Sequence, residues 1–156
     1  MAKKHYNVVA GIIVVDDKIL CMQRGISKYE YTSKKWEFPG GKIELSETPQ
    51  EAIIRELREE MDYDVRPIKR LAKIEHEYPD FSISLDAWLC KADSMNFNQK
   101  EHIAHCWLKF NELKTLDFAA ADVDIINTIK EKKDRTVIID NSIPFILWYC
   151  EQPQTD

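Results

Sequence analysis

The segment Thr48–Met61 constrains the fold more than any other part of the chain, because it carries its own helix start signal. A threonine, a proline at the next position and Glu51 three residues after the threonine form the pattern of a capping box. Apolar side chains then recur at the spacing of one helix face, at Ile53, Leu57 and Met61. The sequence therefore predicts an amphipathic helix over residues 49–61 whose apolar face packs on a core.

Three carboxylates share another face of this predicted helix, those of Glu56, Glu59 and Glu60. Glu56 and Glu60 come directly beside the apolar stripe, so they are expected to line the floor of a cleft. Like charges that are partly desolvated repel one another, and a positive partner is needed there. Arg55 and Arg58 project away from them on the helical wheel, which favours a bound cation, and an all-oxygen ligand set selects Mg²⁺ or Mn²⁺. A solvated acidic face is the alternative for this pattern taken alone.

Runs of β-branched and apolar residues predict strands on both sides of this helix. The predicted strands are Asn7–Val15, Lys18–Gln23, Pro67–Tyr78, Ser82–Cys90 and Ile103–Phe110. Asp16-Asp17 joins the first two as a hairpin turn, and an apolar patch at Trp36–Phe38 is stopped by Pro39-Gly40-Gly41, where the backbone can approach a ligand closely. A second amphipathic helix is expected over Ala121–Lys132. These elements predict an α/β protein with a mixed or antiparallel sheet.

Composition limits both the size and the partners of the protein. At 156 residues, 44% of them hydrophobic, the chain can bury one substantial core, so one compact domain is expected. A net charge of -5 leaves no basic excess for a DNA or RNA backbone, whereas carboxylates that hold a divalent cation still allow a small phosphorylated ligand. No apolar run approaches the roughly 18 residues of a membrane span. The four widely spaced cysteines are expected to be reduced, which predicts a cytoplasmic protein.

The C-terminal extension, residues 134–156, is too apolar to remain in water as a loose tail. Within it, Phe145, Leu147 and Trp148 are expected to bury against the sheet edge or across a homodimer interface. Residues 1–133 are therefore assigned to the main domain, and residues 134–156 to an extension that packs on this domain or on a partner subunit.

A run of fixed spacings begins at Gly41. From there the chain reads glycine, five residues, Glu47, seven residues, and then Arg55–Tyr63. This spacing resembles the Nudix box, G-x5-E-x7-R-E-U-x-E-E-x-G-U, in which U is a bulky apolar residue. The one departure is Asp62 in place of the last glycine, a helix C-cap position whose left-handed conformation aspartate tolerates.

Within that family, Trp36–Glu44 and the preceding Gln23–Gly25 resemble the MutT branch, including its CTP pyrophosphohydrolases. The resemblance implies a Nudix hydrolase domain over residues 1–133, with a mixed sheet sandwiched between helices in an α/β/α arrangement. It also implies Mg²⁺-dependent hydrolysis of nucleoside triphosphates, of cytidine type or damaged, to the monophosphate and pyrophosphate, with Mn²⁺ as a substitute metal. The alternatives are another Nudix substrate, such as ADP-ribose or a dinucleoside polyphosphate, and a non-catalytic nucleotide-sensing module.

The resemblance also implies a role for each glutamate of the box. The implied metal ligands are the Gly40 carbonyl and the side chains of Glu56, Glu59 and Glu60. Glu47 would lie just behind them, and Arg55 would orient the helix and the loop through carboxylate contacts. Glu101, in a later loop, would serve as a further ligand or as the base. An exposed loop glutamate and a purely structural arginine are the alternatives for the last two.

Other residues are implied contacts of the substrate. They are Arg24, Glu37, Phe38, Pro39, Gly40, Lys42, Tyr78 and Asp122. Arg24 and Lys42 are candidate phosphate contacts, since a triphosphate needs more positive charge than one metal ion provides. His102 and His105 alternate along a predicted strand and are assigned no chemistry.

Asp122 is the candidate for reading the base. MutT enzymes that remove 8-oxo-dGTP typically carry asparagine at the matching place, whose amide both donates and accepts hydrogen bonds. An ionised aspartate only accepts, which suits the amino group of cytosine and opposes the O6 and N7 acceptors of guanine. The sequence therefore favours CTP, dCTP or a 5-modified cytidine triphosphate over 8-oxo-dGTP, with a helix-capping role for Asp122 as the alternative.

Overall fold

Residues 3–134 are described by a computed structural model in which seven strands form one mixed sheet. The strands are β1 (Lys4–Val15), β2 (Lys18–Gln23), β3 (Trp36–Glu37), β4 (Gly40–Lys42), β5 (Arg66–Glu77), β6 (Phe81–Lys91) and β7 (Ala104–Leu108). The helices are α1 (Pro49–Met61) and α2 (Ala120–Asp134), with a short 3-10 helix over Phe110–Thr115. The last strand is shorter than predicted, because Phe110 already begins the 3-10 helix.

The long strand β1 organises the sheet. The strand order is β3-β2-β1-β6-β5, with β4 paired to β1 and β7 paired to β2. β1 runs parallel to β6 from Lys4 to Val14 and antiparallel to β2 and β4. This parallel pairing explains why β1 begins before Asn7, where the sequence predicts its start. The predicted hairpin turn at Asp16-Asp17 is confirmed, and both residues adopt positive φ.

The alternation of side chains along β1 places two helices on opposite faces of the sheet. Ala10, Ile12 and Val14 pack in one core with Ala121, Ile125 and Ile129 of α2. Val9 and Ile13 pack in the other core with Ala52, Ile53, Leu57 and Met61 of α1. The predicted α/β/α arrangement, a mixed sheet sandwiched between helices, is confirmed.

Local signals determine both ends of α1. The Thr48 hydroxyl accepts from the Glu51 amide at 3.1 Å, and the Glu51 carboxylate accepts from the Thr48 amide at 3.0 Å. At the other end, Asp62 takes the left-handed conformation, with φ 50° and ψ 38°. The aspartate therefore serves as the C-cap for which the box pattern has glycine. The predicted helix bounds are confirmed at both ends.

Some expectations concern composition or lie outside the described residues. Cys21, Cys90 and Cys106 are free, and no helix within residues 3–134 has the length and apolar character of a membrane span. The predicted packing of the C-terminal extension falls on residues outside this range, as does Cys150. The division into residues 1–133 and 134–156 stays a prediction.

Candidate active site

A cavity of about 590 Å³ opens where β1, the β3–β4 turn and α1 meet. This volume is ordinary for a small-molecule site. The predicted site residues that line it are Arg24, Glu37, Phe38, Gly40, Lys42, Glu60, Tyr78, Glu101 and Asp122. The predicted residues Glu56, Glu59, Arg55 and Pro39 do not line it. Glu56, Glu59 and Arg55 form an ion-pair network on α1. Pro39 is buried, and its carbonyl accepts a hydrogen bond from the Gly11 amide at 2.7 Å.

The glycine pair of the β3–β4 turn brings the backbone against α1. A Cβ atom at Gly40 would overlap the Val9 carbonyl of β1, and a Cβ atom at Gly41 would overlap the carboxylate of Glu56. Gly40 therefore requires glycine, because the Val9 backbone cannot give way, whereas a side chain at Gly41 would require the Glu56 carboxylate to move. The short distance between Gly41 and the Glu56 carboxylate places this carboxylate beside the turn that carries Gly40, whose carbonyl the sequence predicts as a metal ligand.

Arg55 joins the turn, the box loop and α1. Its guanidinium donates to both carboxylate oxygens of Glu47, at 2.6 and 2.9 Å, and to the Lys42 carbonyl at 2.9 Å. The bond from Arg55 is the main reason that the pKa of Glu47 falls to about 2. Such a bidentate pair fixes geometry as well as charge, and the orienting role of Arg55 stays a prediction.

One expectation about Arg55 was wrong. On the helical wheel it projects away from the acidic face, yet its guanidinium lies 3.0 Å from Glu56 and 3.3 Å from Glu59. A long, flexible side chain reaches neighbours that the direction of its Cα–Cβ bond does not indicate. Glu59 is also largely exposed. Arg55 therefore neutralises part of the charge that was expected to require a cation, and the remaining need concentrates on Glu60.

Glu60 is the most perturbed carboxylate of the cluster. Burial is the first cause that raises its pKa to about 8, followed by its hydrogen bond to Glu56 and by the negative charges of Glu56, Glu101 and Glu37. Each of these effects penalises the ionised form. A cation between these carboxylates would remove the penalty, because it offsets the repulsion and replaces lost solvation.

The carboxylates of this cluster can be compared with the ligands that a divalent metal ion prefers. Within the described part of the chain, no three acidic, histidine or cysteine side chains are already grouped as a metal site. Arg55 holds Glu56 and Glu59, so their carboxylates have to turn from the guanidinium toward Glu60 to act as ligands. The donors are all oxygens and closely spaced on α1, and they fit a hard cation such as Mg²⁺ or Mn²⁺.

The raised pKa of Glu60 predicts how the metal-free protein responds to pH. Its folded pKa, about 8, lies above an unfolded value of about 4.3, so the stability it confers is complete below the unfolded value and is lost as pH rises through 8. With a chelator present at about pH 9, Glu60→Gln should raise Tm by roughly 3 °C. Near pH 4 the difference should vanish. Thermal melts at both pH values check this, and an equal difference at the two would contradict it.

His102 is a site residue that the sequence analysis missed. Its side chain is only 10% exposed, it lines the cavity, and its Nε2 donates to Glu37 Oε2 at 2.9 Å. The other oxygen of Glu37 lies 3.5 Å from an Arg24 nitrogen. His102 precedes β7 and is not part of it, so the alternation argument did not apply to it. Its position directly after Glu101 was the available signal.

Aromatic side chains form the wall of the cavity away from the carboxylates. Tyr78 stacks on Tyr31 with ring centroids 5.4 Å apart, and Phe81 lies 4.9 Å from Tyr78. The Tyr78 hydroxyl accepts from the Ala121 amide at 3.1 Å, which fixes the ring against α2. Tyr78 and Phe81 line the cavity, and their faces and edges suit a nucleobase. Phe81, at the start of β6, was not predicted.

Asp122 lies at the aromatic end, and its environment differs from the one assumed for it. Its carboxyl is buried and accepts from the Phe38 amide at 2.9 Å, a contact with the turn after β3. Burial, followed by the charge of Glu37, raises the pKa of Asp122 well above its usual value. The sequence argument took this residue as ionised. These surroundings favour the neutral carboxyl more than an exposed position would.

Comparison with known proteins agrees with this fold. Residues 5–129 match the NUDIX domain model. An 8-oxo-dGTP diphosphatase of Escherichia coli K12 is 32% identical over 127 residues, covering 81% of this chain and 98% of that protein. A CTP pyrophosphohydrolase of the same strain is 33% identical over 123 residues, covering 79% and 90% respectively. The solved MutT of a methicillin-resistant Staphylococcus aureus is 40% identical, with a TM-score of 0.65 and coverage of 84% and 99%.

The fold and the site together define a hydrolase whose acidic residues come mainly from one helix. With the domain match, they identify the family: the chain belongs to the Nudix family. The resemblance inferred from the box spacing is confirmed, including the departure at Asp62, which leaves the helix end intact.

Proposed function

We propose that the protein hydrolyses nucleoside triphosphates to the monophosphate and pyrophosphate with Mg²⁺, for which Mn²⁺ can substitute. The observation that carries the proposal is the half-buried position of Glu60 at the edge of the cavity, near the like charges of Glu56, Glu101 and Glu37. A carboxylate cluster beside a cavity of nucleotide size suits a metal-bound triphosphate. The relatives named as 8-oxo-dGTP diphosphatase and CTP pyrophosphohydrolase support the same chemistry.

Each part of the site has a role in this reaction. Glu56, Glu59 and Glu60, with the Gly40 carbonyl, would hold the metal, which would supply charge neutralisation and activate water. Water attacks the β-phosphorus, the bond to the α-phosphate oxygen breaks, and the nucleoside monophosphate leaves. A carboxylate, for which Glu101 is the candidate, accepts the proton of the attacking water.

The cationic and aromatic groups position the two ends of the nucleotide. Arg24 and Lys42 line the cavity and are proposed to contact the phosphates. Tyr78 and Phe81 are proposed to pack against the base. Asp122 is proposed to hydrogen-bond to its polar edge. The free cysteines of the described residues are consistent with a reducing, cytoplasmic setting, where such an enzyme would cleanse the nucleotide pool.

We further propose that burial leaves Asp122 neutral in the site, which changes the argument about the base. A protonated carboxyl both donates and accepts, so it can pair with an adjacent donor and acceptor on a base edge. Cytosine offers N4–H and N3, and 8-oxoguanine offers N7–H and O6. The preference for cytidine nucleotides rested on an ionised carboxylate, and a neutral one suits both bases. We therefore propose that the substrate class includes cytidine triphosphates and oxidised guanosine triphosphates.

A substrate panel tests the proposal. The purified protein with Mg²⁺ is incubated with normal, oxidised and methylated nucleoside triphosphates, ADP-ribose and a dinucleoside polyphosphate, and the products are separated by chromatography. Equal amounts of monophosphate and pyrophosphate from dCTP or 8-oxo-dGTP are expected. Release of orthophosphate, cleavage of ADP-ribose alone or the absence of turnover would overturn the assignment.

A further inference from the structure

The segment that carries Glu101 has no regular secondary structure. Residues 92–103, between β6 and β7, form neither helix nor strand. No backbone ladder therefore sets the position of Glu101, and individual contacts of the segment have to do so.

One set of contacts fixes the middle of this segment to the end of α1. The Asn98 amide donates to the Met61 carbonyl at 2.8 Å, and the Lys100 ammonium lies 3.2 Å from the Asp62 carboxylate. These contacts lie before Glu101 in the chain. These contacts fix the part of the segment before Glu101, but they do not fix the part after it.

A second set of contacts lies directly after Glu101. His102 donates to the Glu37 carboxylate at 2.9 Å, and the Ile103 amide donates to the Gln23 carbonyl at 3.0 Å. Glu37 is itself held from the other side by Arg24. Glu37 belongs to β3, which pairs with β2, so the sheet fixes the position of its backbone. The bond from His102 is largely shielded from water, since the histidine side chain is only 10% exposed.

We infer that His102 is a positioning residue, whose bond to Glu37 fixes the end of the 92–103 segment and thereby holds Glu101 against the catalytic carboxylates. The inference rests on the proposed function, in which Glu101 serves the reaction. Glu101 lies between the contacts at Lys100 and His102, so loss of the second one leaves the Ile103 backbone bond alone to hold the segment after Glu101. A small displacement of a reacting group lowers the rate of the chemical step more than it lowers binding.

Replacing His102 tests this on the intact enzyme. His102→Ala should lower kcat about tenfold while KM changes less than about threefold. His102→Gln should recover most of the rate, because its terminal amide nitrogen can donate to Glu37 from about the place of the imidazole Nε2. His5→Ala is the matched control. That exposed histidine bonds to Ser82 and Ser84 of β6 and makes no contact with the 92–103 segment or the cavity, so the control should retain the wild-type kcat. A wild-type kcat in His102→Ala would overturn the inference.

A double-mutant cycle separates positioning of Glu101 from a general structural effect. If His102 acts through Glu101, then His102→Ala should cost less than about threefold in a Glu101→Gln background, against about tenfold in the wild-type background. An equal loss in both backgrounds would show that His102 does not act through Glu101, and would refute the inference.

Hydrogen exchange gives a readout that needs no activity. The His102 bond should protect the Ile103 amide, so His102→Ala should speed exchange of that amide about tenfold while His102→Gln and His5→Ala leave it within about twofold. If the wild type hydrolyses no nucleotide but this exchange pattern holds, the proposed function fails while the contact to Glu37 stands. Unchanged exchange in His102→Ala would refute the positioning role itself.

Discussion

Glu60→Gln is expected to lower kcat at least about a hundredfold at saturating Mg²⁺, with the fold intact. The substitution removes a charge and a metal-binding oxygen while it keeps the shape of the side chain. Glu60 is the box carboxylate that lines the cavity, and its pKa is raised by Glu56, Glu101 and Glu37, so a metal ion would be held least well without it.

Steady-state kinetics of wild type and variant across a range of Mg²⁺ concentrations measure this effect. Glu131→Gln, at an exposed position late in α2, makes the same chemical change far from the cavity and should leave kcat unaltered. Loss of activity in Glu60→Gln should accompany the gain in metal-free stability expected at alkaline pH, as at other sites where function is kept at a cost in stability. A variant that keeps a third of the wild-type rate would contradict the metal-binding role of Glu60.

The fold could be predicted from local signals because these signals agree with one another. The capping box at Thr48 and Glu51 predicted the start of α1, and an Asp62 in the left-handed conformation ended it where the box spacing required. The alternation of apolar residues in β1 determined which side chains face each helix. The pairing of β1 with β6 could not be read in this way, because it joins residues far apart in the chain.

The candidate site was predictable where spacing along one element decides geometry. Glu56, Glu59 and Glu60 lie on one face of α1 as predicted, although Arg55 reaches back to two of them. His102 and Phe81 were missed, because their roles depend on contacts with β3 and with Tyr78, from other parts of the chain.

The charge state of Asp122 was the other limit of the sequence argument. An aspartate is taken as ionised at neutral pH unless its surroundings are known. Here the surroundings are α2, the turn after β3 and the nearby Glu37, and they combine burial with a like charge. Desolvation of this kind appears only once the chain is folded, so composition and spacing carry no sign of it.

The proposed neutral form of Asp122 predicts how its variants discriminate between substrates. Asp122→Asn keeps an oxygen for the Phe38 amide and a group that can donate to the base, so the ratio of kcat/KM for dCTP to that for 8-oxo-dGTP should change less than about threefold. An ionised carboxylate would instead give a change of tenfold or more, because one good base contact is worth about 1–3 kcal/mol of discrimination.

Asp122→Ala should remove both hydrogen bonds to the base and lower kcat/KM for the better substrate about a hundredfold, since each bond is worth about 1 kcal/mol or more. Burial raises the pKa of Asp122, so the wild-type carboxyl loses its proton, and its donor, only as pH rises above its ordinary range. The dCTP to 8-oxo-dGTP ratio should therefore drift with rising pH in wild type and stay level in Asp122→Asn. Taking a ratio on one enzyme cancels the pH dependence that both substrates share. A wild-type ratio that is flat with pH, together with a shift of tenfold in Asp122→Asn, would show that the carboxylate reads the base in its ionised form.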